Sequence, residues 1–285
     1  AAEGAAYQAG AGWFTSSEGL EQWEVDLSVH TNVLFIPGSK KSNHTTSNDY
    51  ATFDIAGADQ ATIPSAFGGA TDVTFEGEID FMGNSLPFSF EAIDGIDKSA
   101  LMHPFIQASV GVPFDTEVTL RFLPQVEIDG VNFSTYGAGI KHNFNQYFRF
   151  SQPTDFQFAA LVAYSKFDVN YAFTPVVVSG VVELNEIEVD ADLWLLQLIT
   201  SKRFRDKNWS AFGAIGITNS NFVYKAGGSG LALDPMNAAL ATLSNDEMEF
   251  KGDLGVNYEI GNILISSMFS QGKFSNLNFS LHYRL

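Results

Sequence analysis

Asn276-Leu277-Asn278-Phe279-Ser280-Leu281-His282-Tyr283-Arg284-Leu285 divides cleanly into two faces. Leu277, Phe279, Leu281, Tyr283 and Leu285 fall on one side of an extended chain, and Asn276, Asn278, Ser280, His282 and Arg284 on the other. Successive side chains of a strand point to opposite faces, so this segment has one apolar wall and one wet wall. A helix would spread both sets around its circumference.

The same division recurs upstream. Trp23, Val25, Leu27, Val29, Val33 and Phe35 oppose Glu24, Asp26, Ser28, His30 and Asn32. Val118, Leu120, Phe122, Val126 and Ile128 oppose Glu117, Thr119, Arg121, Gln125 and Glu127. Met248, Phe250, Leu254, Val256, Tyr258 and Ile260 oppose Glu247, Glu249, Lys251, Asp253, Asn257 and Glu259. No apolar face carries a charge. The runs match the roughly 9–11 residues that a tilted strand needs to cross a bilayer. A soluble barrel or sandwich has the same one-dimensional pattern, with its apolar face turned inward. Strand length and the charge-free faces favour the membrane.

Weaker runs at 105–112, 131–142, 155–169, 187–203, 208–224 and 261–270 complete about ten strands, within a range of roughly eight to fourteen. Gly137, Gly139, Gly213 and Gly216 sit inside two of them, where a curved wall bends. The expected fold is all-β, a transmembrane antiparallel up-and-down β-barrel over residues 22–285. An even strand number places both termini on one side of the membrane. Short periplasmic turns are expected at Pro113-Phe114, Arg205-Asp206-Lys207 and Gly261-Asn262, with a longer stretch at 143–154. Long extracellular loops are expected at 38–104, 170–186 and 225–246, with tight turns near Gly130 and Gly272. Trp23, Trp209, Tyr258 and Tyr283 lie near strand ends, where amphipathic rings suit the membrane boundary.

Composition narrows the partners. With 33 acidic against 15 basic residues the formal charge is −18, which disfavours nucleic acid and docking onto an anionic lipid surface. The 26 Phe, 9 Tyr and 4 Trp are too much apolar surface for a disordered chain. There is no cysteine, hence no disulfide framework, thiolate metal site or thiol nucleophile. No run approaches the roughly 18–20 apolar residues of a spanning helix. No basic start leads into an apolar stretch, so a secretion signal is expected to have been removed or never present. Outer-membrane lipid and other envelope proteins are the expected partners.

The terminal Phe279-Ser280-Leu281-His282-Tyr283-Arg284-Leu285 resembles the C-terminal strand signal of outer-membrane proteins, departing from it in ending on Leu285 rather than an aromatic. Gly12-Trp13-Phe14-Thr15, Val33-Leu34-Phe35-Ile36-Pro37 and Tyr136-Gly137-Ala138-Gly139-Ile140-Lys141-His142 resemble an uncharacterised family of outer-membrane barrels from Bacteroidota. The stretch 111–126 fits the same pattern. The resemblance implies integral residence in the bacterial outer membrane and brings no catalytic residues. More distantly, the chain is similar to barrels that take up hydrophobic compounds and hold an N-terminal segment in the lumen. Residues 1–21, with Trp13 and Phe14, are accordingly either such a plug or a periplasmic tail.

The chain carries few signatures of chemistry. His30, His44, His103, His142 and His282 show no metal-ligand spacing. His30 and His282 fall on the first and last strands, neighbours in a closed barrel, yet two histidines without a third ligand are more simply polar lumen residues. No Gly-x-Ser-x-Gly and no Gly-rich phosphate loop is present, so no enzyme activity, metal or cofactor is expected. Carboxylates gather at Glu183, Glu186, Glu188, Asp190 and Asp192, and again at Asp246, Glu247, Glu249 and Asp253 beside Asn245. Facing each other across a lumen they would gather cations; a solvated acidic lumen and loop surface is the simpler reading. The expected lumen-facing set is Glu24, Asp26, His30, Glu117, Arg121, Lys141, Glu249, Lys251, Asp253, His282 and Arg284, with cross-lumen ion pairs filling the interior.

Loop 38–104 is too long to be featureless. Residues 73–79 and 87–91 read as a hairpin within it, or as two more wall strands. Residues 231–243 read as a short helix with Asp234 as N-cap and Pro235 in its first turn. Leu231, Leu233, Met236, Leu240 and Leu243 make it a candidate mouth cap, partner surface or ligand gate. The reading is therefore a non-enzymatic barrel serving as a structural or accessory subunit of an envelope complex through its loops. The alternative is a passive channel or transporter for small hydrophobic compounds.

Overall fold

The computed structural model describes residues 2–50, 53–81, 84–128, 131–148, 156–178, 180–204, 208–243 and 246–285. A short helix, α1 (Ala2–Ala9), precedes the first wall strand, β1 (Val25–Phe35). Five short strands follow in the long loop: β2 (Ser42–Thr46), β3 (Phe53–Ile55), β4 (Gln60–Pro64), β5 (Thr74–Phe81) and β6 (Asn84–Glu91). The wall resumes with β7 (Ala100–Val112), β8 (Thr116–Ile128), β9 (Val131–Asn143), β10 (Phe156–Val178) and β11 (Val182–Arg203). It is completed by β12 (Trp209–Gly230), β13 (Asp246–Ile260), β14 (Ile263–Gln271) and β15 (Ser275–Arg284), with α2 (Leu233–Leu240) between β12 and β13.

Ten strands close into one antiparallel barrel, each paired to its neighbour in the wall. β1 pairs with β15 on one side and β7 on the other, so no sheet edge is left open in the barrel proper. The alternation decides which way the wall faces. Ser28, His30, Asn32, Asn276, Asn278 and Ser280 point inward and are buried, while Leu27, Val29, Phe279 and Leu281 point outward and are exposed. Phe250 and Leu254 are 79% and 71% exposed. A barrel in water would place these residues the other way round. A continuous apolar belt of this size is stable only against hydrocarbon. Exposed Trp23, Phe114, Tyr147, Phe156, Trp209 and Tyr283 ring the short-turn end of the belt.

The pairing corrects two expected loops. Residues 170–186 and the first part of 225–246, up to Gly230, are not open connections, because β10, β11 and β12 run for 23, 22 and 22 residues. That is about twice what a bilayer requires. On β11 the outward face passes from Leu198, Leu196 and Trp194 to Asp192 and Asp190, which marks where hydrocarbon ends. The inward face stays apolar through Val189 and Ile187, so the hydrogen-bond ladder continues beyond the membrane.

The long loop folds into two small sheets outside the wall, one pairing β2 with β4 and one in the order β3-β5-β6. The second contains the expected hairpin, which is therefore not part of the wall. Tyr50, Phe53, Phe75 and Phe90 pack ring against ring to hold it together.

In α2 the N-cap is Ala232 rather than Asp234, and Asp234 sits in the first turn without a capping bond. The Ala232 amide donates to the Val181 carbonyl, so the chain enters the helix early. Asn237 then bonds both the N–H and the C=O of Ala226, at 2.7 and 3.0 Å, laying the helix along β12. Leu231 is exposed, Leu233, Met236 and Leu240 are half-buried, and Leu243 ends the 3-10 turn that follows. The turns expected at Gly130 and Arg205-Asp206-Lys207, Asn245 and part of 143–154 lie outside the described residues.

Leu254→Arg puts a cation near the middle of the belt and is expected to cost about 2–4 kcal/mol. Reversible denaturant unfolding from lipid vesicles measures this; a cost under about 0.5 kcal/mol would mean that β13 does not face hydrocarbon.

Candidate functional site

The lumen holds the protein's own N-terminal segment. Glu3 pairs with Lys273 at the loop end, 2.8 Å away, and Ser17 meets Ser201 at the short-turn end with 2.6 Å between hydroxyls. Between these points the chain threads the barrel. Ala6, Tyr7, Gln8, Ala9, Trp13, Phe14 and Ser17 are all buried.

From the last turn of α1 onward the carbonyls run out of regular helical partners, although the Ala11 amide still donates to Gln8 and the Trp13 indole to Ala9. The wall supplies donors one by one. Asn32 donates to the Gln8 carbonyl at 2.8 Å, Arg121 to Ala9 at 2.9 Å and Lys251 to Gly10 at 2.8 Å. Asn257 donates to Thr15 at 2.7 Å, Lys141 to Ser16 at 3.0 Å and Asn143 to Ser17 at 2.9 Å. These donors stand on β1, β8, β9 and β13, so the segment is held from several sides. Arg121 and Lys251 meet it where the negative end of the helix dipole lies.

Arg121 also sits over two rings, 4.0 Å from the Trp13 centroid and 3.9 Å from that of Phe105. His30 stacks on Phe105 at 4.6 Å. Trp13 needs room on its other side. A Cβ on Gly139 would lie 3.1 Å from the Trp13 ring and 3.2 Å from Ala163, so this glycine makes space for the plug residue. Gly12 takes a left-handed turn at φ +75°, where a side chain would be strained.

The lumen is two-sided, which corrects the expectation of a uniformly polar, acidic interior. β10–β12 turn Leu161, Ala163, Phe167, Leu193, Leu195, Phe212 and Phe222 inward, packed on Ala6, Ala9, Ala11, Trp13 and Phe14. The polar half is contributed by β1, β7, β8, β9, β13, β14 and β15.

Each expected lumen residue lies on the inward face, but the ion pairs run along the wall rather than across it. Lys141 pairs with Glu117 opposite it on the next strand at 2.8 Å, and Lys251 with Asp253 on its own strand at 3.3 Å. The plug occupies the centre, so cations reach inward to its carbonyls and sideways to the acids. Among the described residues Arg121 has no carboxylate in ion-pair range. His30 and His282 meet edge to face at 5.1 Å. His30 bonds Ser28, and His282 donates to Asp26 at 2.8 Å; no metal-binding group forms among the described residues.

At the short-turn end a cavity of about 360 Å³ lies between the plug and the wall. Glu18, Arg203, Glu259, Arg284 and Asp26 form a chain of ion pairs around it, at 3.0, 3.6, 3.4 and 3.6 Å in turn, and Glu24 also lines it. At the opposite mouth Glu249 joins Glu3 and Glu247 around Lys273. Burial opposes the charge on Lys273, yet the three carboxylates hold its ammonium above the ordinary lysine range.

The two carboxylate runs do not face each other. Glu188, Asp190 and Asp192 share the outward face with Trp194, while Glu249 and Asp253 face inward. Above the belt, Lys225 bonds Asp190 at 2.8 Å and holds its carboxyl below the usual range. Burial and the neighbouring Asp190 raise that of Asp168.

The chain belongs to a family of unknown function, DUF6588, which it matches over residues 1–285. No curated protein matches it. Among solved structures it is similar to the attachment invasion locus protein Ail of Yersinia pestis, at 10% identity, with 93% of this chain and 99% of that one covered and a TM-score of 0.32. It is similar to the β domain of the Bordetella autotransporter BrkA, at 11% identity, 92% and 99% coverage and a TM-score of 0.40. The outer-membrane channel DcaP of Acinetobacter baumannii gives 9% identity, 95% and 100% coverage and a TM-score of 0.24.

Arg121→Ala removes the donor to Ala9 and the contact with the Trp13 and Phe105 rings. A charge-assisted hydrogen bond contributes about 1.5–3 kcal/mol, so amide exchange over residues 9–17 is expected to rise at least about tenfold. Unchanged exchange there would mean that the other donors hold the segment without it.

Proposed function

We propose that this DUF6588 member is a non-enzymatic integral outer-membrane barrel, closed by its own N-terminal segment, that serves as an accessory subunit of a larger envelope assembly. Its loops and the β10–β12 extension would meet partners. The observation that carries this reading is the set of wall donors spent on the plug carbonyls. Side chains that could line an aqueous path are instead committed to holding the path shut. Integral residence in the outer membrane is supported by the exposed apolar belt, the aromatic ring and the inward polar face.

One observation favours a second reading, passive passage of small hydrophobic compounds. The apolar half of the lumen lies directly behind the plug, so a shifted plug would uncover an apolar track.

A disulfide lock separates the two. Ser17 and Ser201 have hydroxyls 2.6 Å apart, and the chain has no cysteine of its own, so Ser17→Cys with Ser201→Cys suits a bridge. For an accessory subunit, native sizing and mass spectrometry are expected to find stoichiometric partners with the bridge closed or reduced. Planar bilayers are expected to show no steady conductance in either state. Uptake of an apolar dye that stops on oxidation and returns on reduction would establish the transport reading instead.

A further inference from the structure

The β10–β12 extension rises above the membrane as a three-stranded sheet, and its two margins are treated differently. Past Asn221, β12 has no partner in β13, and α2 covers that margin through Asn237. Past Tyr171, β10 has no partner in β9, and among the described residues nothing pairs with it there. A register shift between Ala172 and Val176 pushes Phe173 and Pro175 out of the ladder. Facing them across a groove of about 530 Å³ is β6, the terminal strand of the loop sheet.

The direction of the β6 backbone groups follows from one bond. The Ala92 amide points toward the β5 side, donating to Val73 at 2.8 Å, so Ser89 and Glu91 direct theirs away from it, into the groove. Pro87 falls on the same side and has no N–H, which ends the usable edge. The Tyr171 hydroxyl donates to the Asp94 carbonyl at 3.3 Å, tying the loop sheet to β10 and closing one end of the groove.

We propose that this groove is a strand-addition site for an extended segment of another protein, carrying alternating apolar residues and at least one basic one. The segment would pair with β6 at Ser89 and Glu91, turning alternate side chains onto Tyr171, Phe173 and Pro175. Glu91 and Asp94 are the charged residues lining the groove, so a basic side chain is the complementary one. A second copy of this chain fits poorly, since its own β6 edge brings Glu91 and no basic residue to a groove already lined by Glu91 and Asp94. The inference rests on the accessory-subunit reading and names where that subunit takes hold.

The test uses the full chain in nanodiscs and a fluorescent octapeptide of alternating valine and lysine. Binding is expected to be saturable and to slow amide exchange at Ser89 and Glu91 about tenfold. Ser89→Pro should weaken it at least about tenfold, as loss of an edge donor requires, while Ser89→Ala should not. Gel migration of the unheated barrel checks that each variant is folded. Equal binding by Ser89→Pro, no slowing at Ser89, or a disulfide between two copies of a Ser89→Cys variant would each overturn the proposal. If those fail while stoichiometric partners still co-purify with Ser89→Pro, the accessory reading stands and its docking site lies elsewhere. If peptide binding holds but no partner co-purifies, the accessory reading fails instead.

Discussion

A stretch of irregular backbone enclosed in a barrel cannot turn its carbonyls to bulk water, so they draw on donors from the wall. This requirement accounts for the polar half of the lumen. Asn32, Arg121, Lys141, Asn143, Lys251 and Asn257 are all donors, and each ends on a plug carbonyl. The acids then follow the cations. Glu117 and Asp253 stand beside Lys141 and Lys251, neutralising ammonium groups already committed to the plug. Arg121 has aromatic faces in place of an acid. Its more weakly hydrated guanidinium tolerates that setting better than an ammonium would.

The apolar half answers to the same segment. Ala6, Ala9 and Ala11 are small enough to lie close to β10 and β11, and Trp13 and Phe14 fill the remaining space. Small residues near the wall and two large rings toward its lower half make a plug matched to a barrel otherwise too wide for wall side chains to close alone. The strong negative charge of the chain is correspondingly displaced. It lies at the two mouths, on the outward face of the extension and in the loops, leaving the middle of the lumen close to balanced.

How far the sequence could be read depends on what each strand faces. β1, β13 and β15 have lipid on one side and polar neighbours on the other, so they alternate clearly and their ten-strand context was legible. β10 and β11 are apolar on both faces where they pass the plug, as in Ala159-Ala160-Leu161-Val162-Ala163 and Leu193-Trp194-Leu195-Leu196. Their alternation fades for the reason that buried parallel strands lose theirs. That loss was itself a signal: a wall strand apolar on both faces has something apolar inside the barrel. The inward set was also legible from parity alone. The roles of Asn32, Asn143 and Asn257 were not, because a donor's importance depends on a carbonyl from a segment far away in the chain.

Strand ends are hidden in the sequence for a different physical reason. Charges on an outward face locate the edge of hydrocarbon, and Asp190 and Asp192 do so on β11. Pairing, however, answers to the partner strand and to the inward face, both of which remain favourable up to the Val178–Val182 turn. The sheet therefore leaves the membrane with backbone edges that lipid no longer requires to be satisfied. An open margin in water is a hazard unless it is covered or interrupted. Here Asn237 covers the β12 margin, and on the other side Pro87, Pro175 and a register shift restrict the opening to a short stretch beside Ser89 and Glu91. A margin closed at both ends and open between them limits pairing to a short strand of compatible charge. Selective recognition outside the membrane requires that restriction, whereas a fully open edge would admit many partners.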